Sequence, residues 1–293
     1  MIAVKTVLAA SDLSTSARAA IARAGLICRT HQARLQVIHV IEELPPPALL
    51  SGEQARDKAR NELAIEAKAA VPEGIDCRQE IATGKDFVAI IRHARETLAD
   101  LIVVGAHGHH LLRDYLLGTT AEKLIRKAAL PVLVVKHPPH LPYRRILVPT
   151  DFSEPSWQAL AAASVLAPGA SIDLLHIYGF WGEGRLGMAG AGAEAIEAYR
   201  QQTEAVARGA MDEWQQGLDL SGHHVERHFR QGHAATVISQ FAAERQHDLI
   251  VMGTAGRTGL PYILLGSVTE HTLRTAPCDT LTVRPTDFRF ELP

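Results

Sequence analysis

The chain has 293 residues, 47% of them apolar, with 30 Lys and Arg against 32 Asp and Glu for a formal net charge of −2. That length suits two domains of average size, each able to bury a core. A near balance of charge, with both signs spread along the chain, argues against a nucleic-acid partner, which needs a concentrated basic face. No apolar run approaches the ~20 residues that span a bilayer. Lys5 lies inside the first apolar run rather than ahead of it, which is wrong for a signal peptide. Cys28, Cys77 and Cys278 lack motif spacing and leave one thiol over, as expected of reduced cysteines in a cytoplasmic protein.

In chain order, VKTVLAA is short and almost wholly apolar, the pattern of a strand buried on both faces. An alanine-rich stretch over 14–30 predicts a helix, LQVIHV (35–40) a second strand, and 53–70 a helix of strong helix formers. Residues 75–82 fit a third strand, and Phe87, Ile90, Ile91, Ala94 and Leu98 then share one helical face. LIVV and VLVV read as two further buried strands, separated by a helix with Ala121, Leu124, Ile125 and Ala128 on one stripe. Alternating strands and helices imply right-handed crossovers and a parallel sheet, here of five strands.

KHPPHLPYR (136–144) follows, where Pro138, Pro139 and Pro142 disfavour regular structure. Beyond it the same order begins again. KTVLAASDLSTSA matches RILVPTDFSEPSW, setting Asp12 against Asp151 and Ser14 against Ser153. LQVIHV matches IDLLHI with His39 against His176, ADLIVVG matches HDLIVMG, and ALPVLVVK matches APCDTLTVR. The second copy is expected to have a longer second helix (193–216), a third helix marked by Val237, Ile238 and Phe241, and a glycine-rich insertion over 179–192. The reading is two domains, 1–138 and 143–285, with a tail over 286–293.

The duplicated feature that carries chemistry is GAHGHHLLRDYLLGT (105–119) and GTAGRTGLPYILLGS (253–267). Both read Gly-x2-Gly-x9-Gly-Ser/Thr: Gly105, Gly108, Gly118 and Thr119, then Gly253, Gly256, Gly266 and Ser267. Glycines let backbone N–H groups approach a phosphate, and the last glycine opens a helix whose unpaired amides and dipole favour an anion. Thr120 and Val268 continue those first turns, and Arg257 adds a cation to the second copy only. A single Gly-x-x-Gly is also an ordinary turn, so it is the repeated spacing that carries the argument. Asp12 and Asp151 follow the first strand of each copy, at the sheet edge where open α/β sheets bind ligands. A carboxylate there can accept from ribose hydroxyls or cap the following helix.

These motifs make the chain resemble a tandem universal stress protein, two family domains covering nearly its whole length. The resemblance implies two five-stranded parallel-sheet domains with helices on both faces, of the adenine-nucleotide hydrolase-like, Rossmann-like group. It also implies that the fifth strands pair the halves as an internal pseudo-dimer. The implied ligand is ATP, or ADP or AMP, with Mg²⁺ possible beside it. The aspartates would hold ribose, Val40 and Ile177 would line adenine, and the glycine loops would hold phosphates. The implied role is a stress-response regulator acting through an unknown protein partner, with no membrane or nucleic-acid partner and with a homodimer possible. The alternatives are a weak Mg-dependent ATPase or phosphotransferase, or a structural dimer module with empty sites. His107, His109 and His110 stand where the first loop lacks arginine, so the second site is expected to bind ATP more tightly.

No catalytic residues are assigned. Gly84-Lys85-Asp86 resembles a Walker lysine only superficially and reads as a strand-to-helix turn. No metal ligands are assigned either, because the histidine clusters (107, 109, 110; 137, 140; 223, 224, 228) lack a carboxylate at fixed spacing. His39 and His176 read as satisfied core histidines, and Glu96 and Glu244 as solvated helix positions.

Overall fold

The computed structural model describes residues 3–42, 52–107, 117–179, 192–254, 265–285 and 288. In the first unit the elements alternate as β1 (Thr6–Ser11), α1 (Thr15–His31), β2 (Arg34–Ile41), α2 (Gly52–Ala70), β3 (Cys77–Thr83), α3 (Asp86–Glu96), β4 (Leu101–Gly105), α4 (Thr119–Lys127) and β5 (Val132–Val135). The second unit repeats them as β6 (Arg145–Thr150), α5 (Glu154–Leu166), β7 (Ser171–Tyr178), α6 (Ala193–Trp214), β8 (Val225–Gln231), α7 (Ala234–Glu244), β9 (Leu249–Gly253), α8 (Ser267–Thr275) and β10 (Asp279–Val283). The expected insertion falls, over 180–191, outside the described residues.

Within each unit the strands are parallel, in the order β3-β2-β1-β4-β5 and its mirror β10-β9-β6-β7-β8. The five-stranded sheets do not stay separate. β5 and β10 pair antiparallel, with Leu281 opposite Leu133, and join them into one sheet of ten strands. The near-continuous apolar runs follow from this: β1, β4, β5, β9 and β10 are covered on both faces and buried almost throughout. α1, α2, α5 and α6 share one face over a core reaching across both units, from Ile21 and Leu63 to Ile146, Leu160 and Val251. On the other face lie two cores, one around Ile90, Ile102 and Leu124 that also takes in Leu265 and Leu273 of the second unit, and one around Ile238, Phe241 and Ile250.

Buried polar groups fix the join. Asp279 accepts from Arg23 Nε at 3.2 Å, Tyr143 Oη at 2.6 Å and the Lys136 amide at 2.9 Å. Arg284 donates twice to the Ile125 carbonyl, at 3.2 and 2.8 Å, satisfying the last turn of α4 from the other unit. Burial lowers the Arg284 pKa to about 10.

Candidate functional site

The sheet reverses its crossover direction between β1 and β4, and again between β6 and β9. A crevice opens there at the carboxyl ends of the strands. In the first unit it is a cleft of about 800 Å³. Asp12, Val40, Gly105, Gly118, Thr119 and Thr120, read from sequence as one site, all line it. Gly108 of the first loop, and Gly256 and Arg257 of the second, lie outside the described residues.

The loop carrying the aspartate is built the same way twice. Leu13 and Phe152, next after the aspartates, have φ of 64° and 63°, unusual for bulky side chains. The same three hydrogen bonds recur in both turns. The Leu13 and Phe152 amides donate to Ser11 Oγ and Thr150 Oγ1 at 2.9 Å. The Ser14 and Ser153 amides donate to Asp12 Oδ1 and Asp151 Oδ1 at 3.1 Å. His39 and His176 donate from Nδ1 to the Ser11 and Thr150 carbonyls at 2.9 Å, fixing their tautomers. The two histidines are therefore half-buried brackets from the second strand to the aspartate turn rather than core groups. The aspartates do not cap the helices. Ser14 and Ser153 are the N-caps, accepting from the Ala17 and Ser156 amides, which leaves the carboxylates at the crevice edge.

The glycines divide by role. A Cβ on Gly105 would stand 2.8 Å from the Ser16 backbone, and one on Gly253 2.9 Å from that of Pro155. The first glycine of each motif is thus needed where β4 or β9 passes the N-terminus of α1 or α5. Gly118 and Gly266 are N-caps with ordinary φ of −60° and −61°, so their conformation does not demand glycine. Among the described residues, neither helix start carries a side-chain cap.

Sequence reasoning missed several groups that meet at this edge. Asp86, seen only as part of a turn, lines the first cleft and accepts from Thr120 Oγ1 at 2.5 Å, with Lys123 Nζ 3.8 Å away. Glu42 lines it too. The matching second-unit positions are Gly179 and Ala234. Glu66, on α2, accepts from Ser11 Oγ at 2.6 Å, while its Oε1 is buried with no hydrogen-bond partner. Its counterpart is Trp214, whose Nε1 donates to the Ser153 carbonyl at 3.2 Å, beside a stacked Phe152–His176 pair 4.3 Å apart. One turn is thus braced by a carboxyl and the other by aromatic rings. Only position would have flagged these residues, each lying at a strand end or on a helix facing the β1 or β6 turn.

Burial, ahead of every other influence, raises the Glu66 pKa. An acid whose pKa is higher folded than unfolded stabilises most when protonated, and loses that contribution as pH rises through its titration. The stability of Glu66→Gln relative to the native protein is therefore expected to rise as pH climbs above the ordinary carboxylate range. Urea unfolding as a function of pH checks it, and a flat difference would show that Glu66 titrates normally.

A doubly wound parallel sheet with a switch-point crevice defines the class as a Rossmann-like α/β protein. The universal stress protein family model matches residues 3–136 and 142–284, and the chain belongs to that family. It is 37% identical over 143 residues to universal stress protein A homolog 1 of Coxiella burnetii, covering 45% of this chain and 95% of that one. It is 28% identical over 218 residues to universal stress protein E of Escherichia coli K12, covering 70% of this chain and 67% of that one. A functionally unknown protein of Pseudomonas aeruginosa PAO1 shares the fold at a TM-score of 0.68 and 21% identity, over 97% of this chain and 94% of that one. No helix among the described residues is long and apolar enough to cross a membrane.

Proposed function

We propose that the chain is a cytoplasmic stress-response regulator that binds an adenine nucleotide at the carboxyl edge of each unit, with ATP held more tightly in the second. The observation carrying this is the first-unit cleft of about 800 Å³, lined by both ends of the glycine motif, by Asp12 and by Val40. Its size lies within the range of nucleotide-sized pockets, roughly 300–1,000 Å³. Asp12 or Asp151 accepts from ribose, Val40 or Ile177 packs on adenine, and the first amides of α4 or α8 face phosphate. Nucleotide occupancy is then read out by a protein partner.

The inequality of the sites follows from charge. The first cleft carries the carboxylates of Asp12, Glu42 and Asp86, whereas the matched second-unit residues are Asp151, Gly179 and Ala234. Carboxylates near a polyphosphate oppose it, and Arg257 adds attraction in the second unit. Calorimetric titration of the full chain with ATP is expected to resolve two affinities. Asp151→Ala should weaken the tighter phase by about tenfold, the worth of hydrogen bonds to a charged acceptor. Asp86→Ala, which frees Thr120 and Lys123, should tighten the weaker phase by about fivefold, or roughly 1 kcal/mol. Absence of ATP binding, or an equal response of both phases to Asp151→Ala, would sink the assignment.

A further inference from the structure

At the amino end of the second unit's sheet, opposite the crevice edge, lies a cluster of metal-ligating side chains that the nucleotide reading does not use. Asp173 on β7 is directly opposite Glu226 on β8, and Leu175 is opposite His228. Residues 226 and 228 are two apart on one strand and point to the same face. His228 Nε2 lies 3.4 Å from Asp173 Oδ1 and 3.4 Å from Glu226 Oε2. That nitrogen is buried and has no hydrogen bond. The three ligand atoms all fall within 4.8 Å of one another. Two ligands about 2.0–2.1 Å from a tetrahedral zinc ion stand about 3.4 Å apart, which is the separation on both sides of His228.

We propose that Asp173, Glu226 and His228 form a binding site for a divalent cation of the zinc class, with three protein ligands and a fourth position open to water.

The surroundings suit such a site. His247, with a fully buried side chain, holds Asp173 Oδ2 from Nε2 at 2.8 Å and leaves Oδ1 turned toward His228. A ligating carboxylate oriented by its own hydrogen bond is the usual outer support of a metal centre. The Phe241 ring packs 4.9 Å from the His228 ring and 5.7 Å from that of His247, fixing both. Mixed imidazole and carboxylate donors favour zinc over calcium or magnesium.

Two arginines compete for these carboxylates: Arg245, with Nη2 2.7 Å from Glu226 Oε2 and Nε 3.2 Å from Asp173 Oδ2, and more distantly Arg145, with Nη2 3.9 Å from Asp173 Oδ2; Arg245 is the nearer. Its side chain is about a third exposed, at 32%, so it can swing outward when an ion takes the shared oxygen. The first unit serves as an internal control. Its matching residues are Gln36, Arg78 and Glu80, with Thr97 and Ala99 in place of Arg245 and His247.

The test is calorimetric titration of the chelator-treated full chain with zinc chloride, with bound metal counted by mass spectrometry and folding followed by circular dichroism. The native protein should bind one equivalent. His228→Asn and Glu226→Gln should each weaken it by about 100-fold or more, and His247→Ala, acting through Asp173, by about 10- to 100-fold. Arg245→Gln, which removes a like charge, should tighten it by about tenfold. Cobalt in place of zinc should give the visible bands of a tetrahedral complex, lost in His228→Asn. Glu226 is half exposed, so its variant decides the matter even if Asp173→Asn fails to fold. A triple His137→Ala, His140→Ala, His224→Ala variant should keep the equivalent. No bound equivalent in the native chain, or one that survives both His228→Asn and Glu226→Gln, would overturn the site and leave a histidine-flanked ion-pair network.

Discussion

Replacing Asp279 by Ala is expected to lower the unfolding free energy by about 3–5 kcal/mol, the usual cost of breaking a buried ion pair from one side. Asp279 is 3% exposed and takes hydrogen bonds from Arg23, Tyr143 and the Lys136 amide at the seam of the two units. Its removal strands a guanidinium that is itself buried and stacked 3.9 Å from the Tyr143 ring centroid. It also strands a phenol that burial, and then the Asp279 carboxylate, hold protonated well above its ordinary range. The thermal midpoint should fall by something on the order of 10 °C. Replacing the group together, as Arg23→Met, Tyr143→Phe and Asp279→Leu, should recover most of the loss, since a buried ion pair is seldom worth more than well-packed apolar side chains. Urea unfolding of the two variants checks both statements. A loss below about 1 kcal/mol in Asp279→Ala, the range of exposed pairs, would mean that water enters the seam.

The second large effect separates the glycines of the motif. Gly253→Ala places a methyl 2.9 Å from the Pro155 backbone. Backbone cannot yield as a flexible side chain can, so β9 and α5 must move apart, at about 1–3 kcal/mol. Gly105→Ala should behave alike against Ser16. Gly266→Ala needs no new backbone conformation, since φ is −61° and ψ 142°. It is expected to leave stability within about 0.5 kcal/mol while weakening ATP binding. Parallel unfolding and ATP titrations distinguish the cases. Equal destabilisation by Gly253→Ala and Gly266→Ala would show that the last glycine also serves packing.

Much of the fold is written locally. Apolar runs such as LIVVG and LIVMG specify strands buried on both faces, and alternation with amphipathic helices specifies parallel crossovers. Because the order is written twice, the chain states its own repeat. The first-unit cleft is legible in part. Asp12, Gly118 and Thr119 sit at strand or helix ends that a doubly wound sheet brings to one edge, and Val40, expected there from the family resemblance, lines the same cleft.

Sequence could not give the distant partners. Glu66 reaches Ser11 across 55 positions, and Arg23 reaches Asp279 across 256. No period or motif encodes such pairs, because they exist only once helices have packed on the sheet. The histidine clusters teach the same lesson in reverse. Neighbours in sequence such as His223 and His224 diverge to the Ala170 carbonyl and the Glu226 carboxylate. His228 instead meets Asp173 from the adjacent strand. The sequence by itself determined the repeat, the elements and the paired Gly-x2-Gly-x9-Gly-Ser/Thr pattern, since these rest on local periodicity and on residue types at strand ends. Only the tertiary structure decided that Arg23, Tyr143 and Asp279 meet at the join of the two units, that one aspartate turn leans on a carboxyl and the other on aromatic rings, and that, among the described residues, a carboxylate–histidine cluster forms in the second unit. Those outcomes depend on which side chains strand register and helix packing bring face to face.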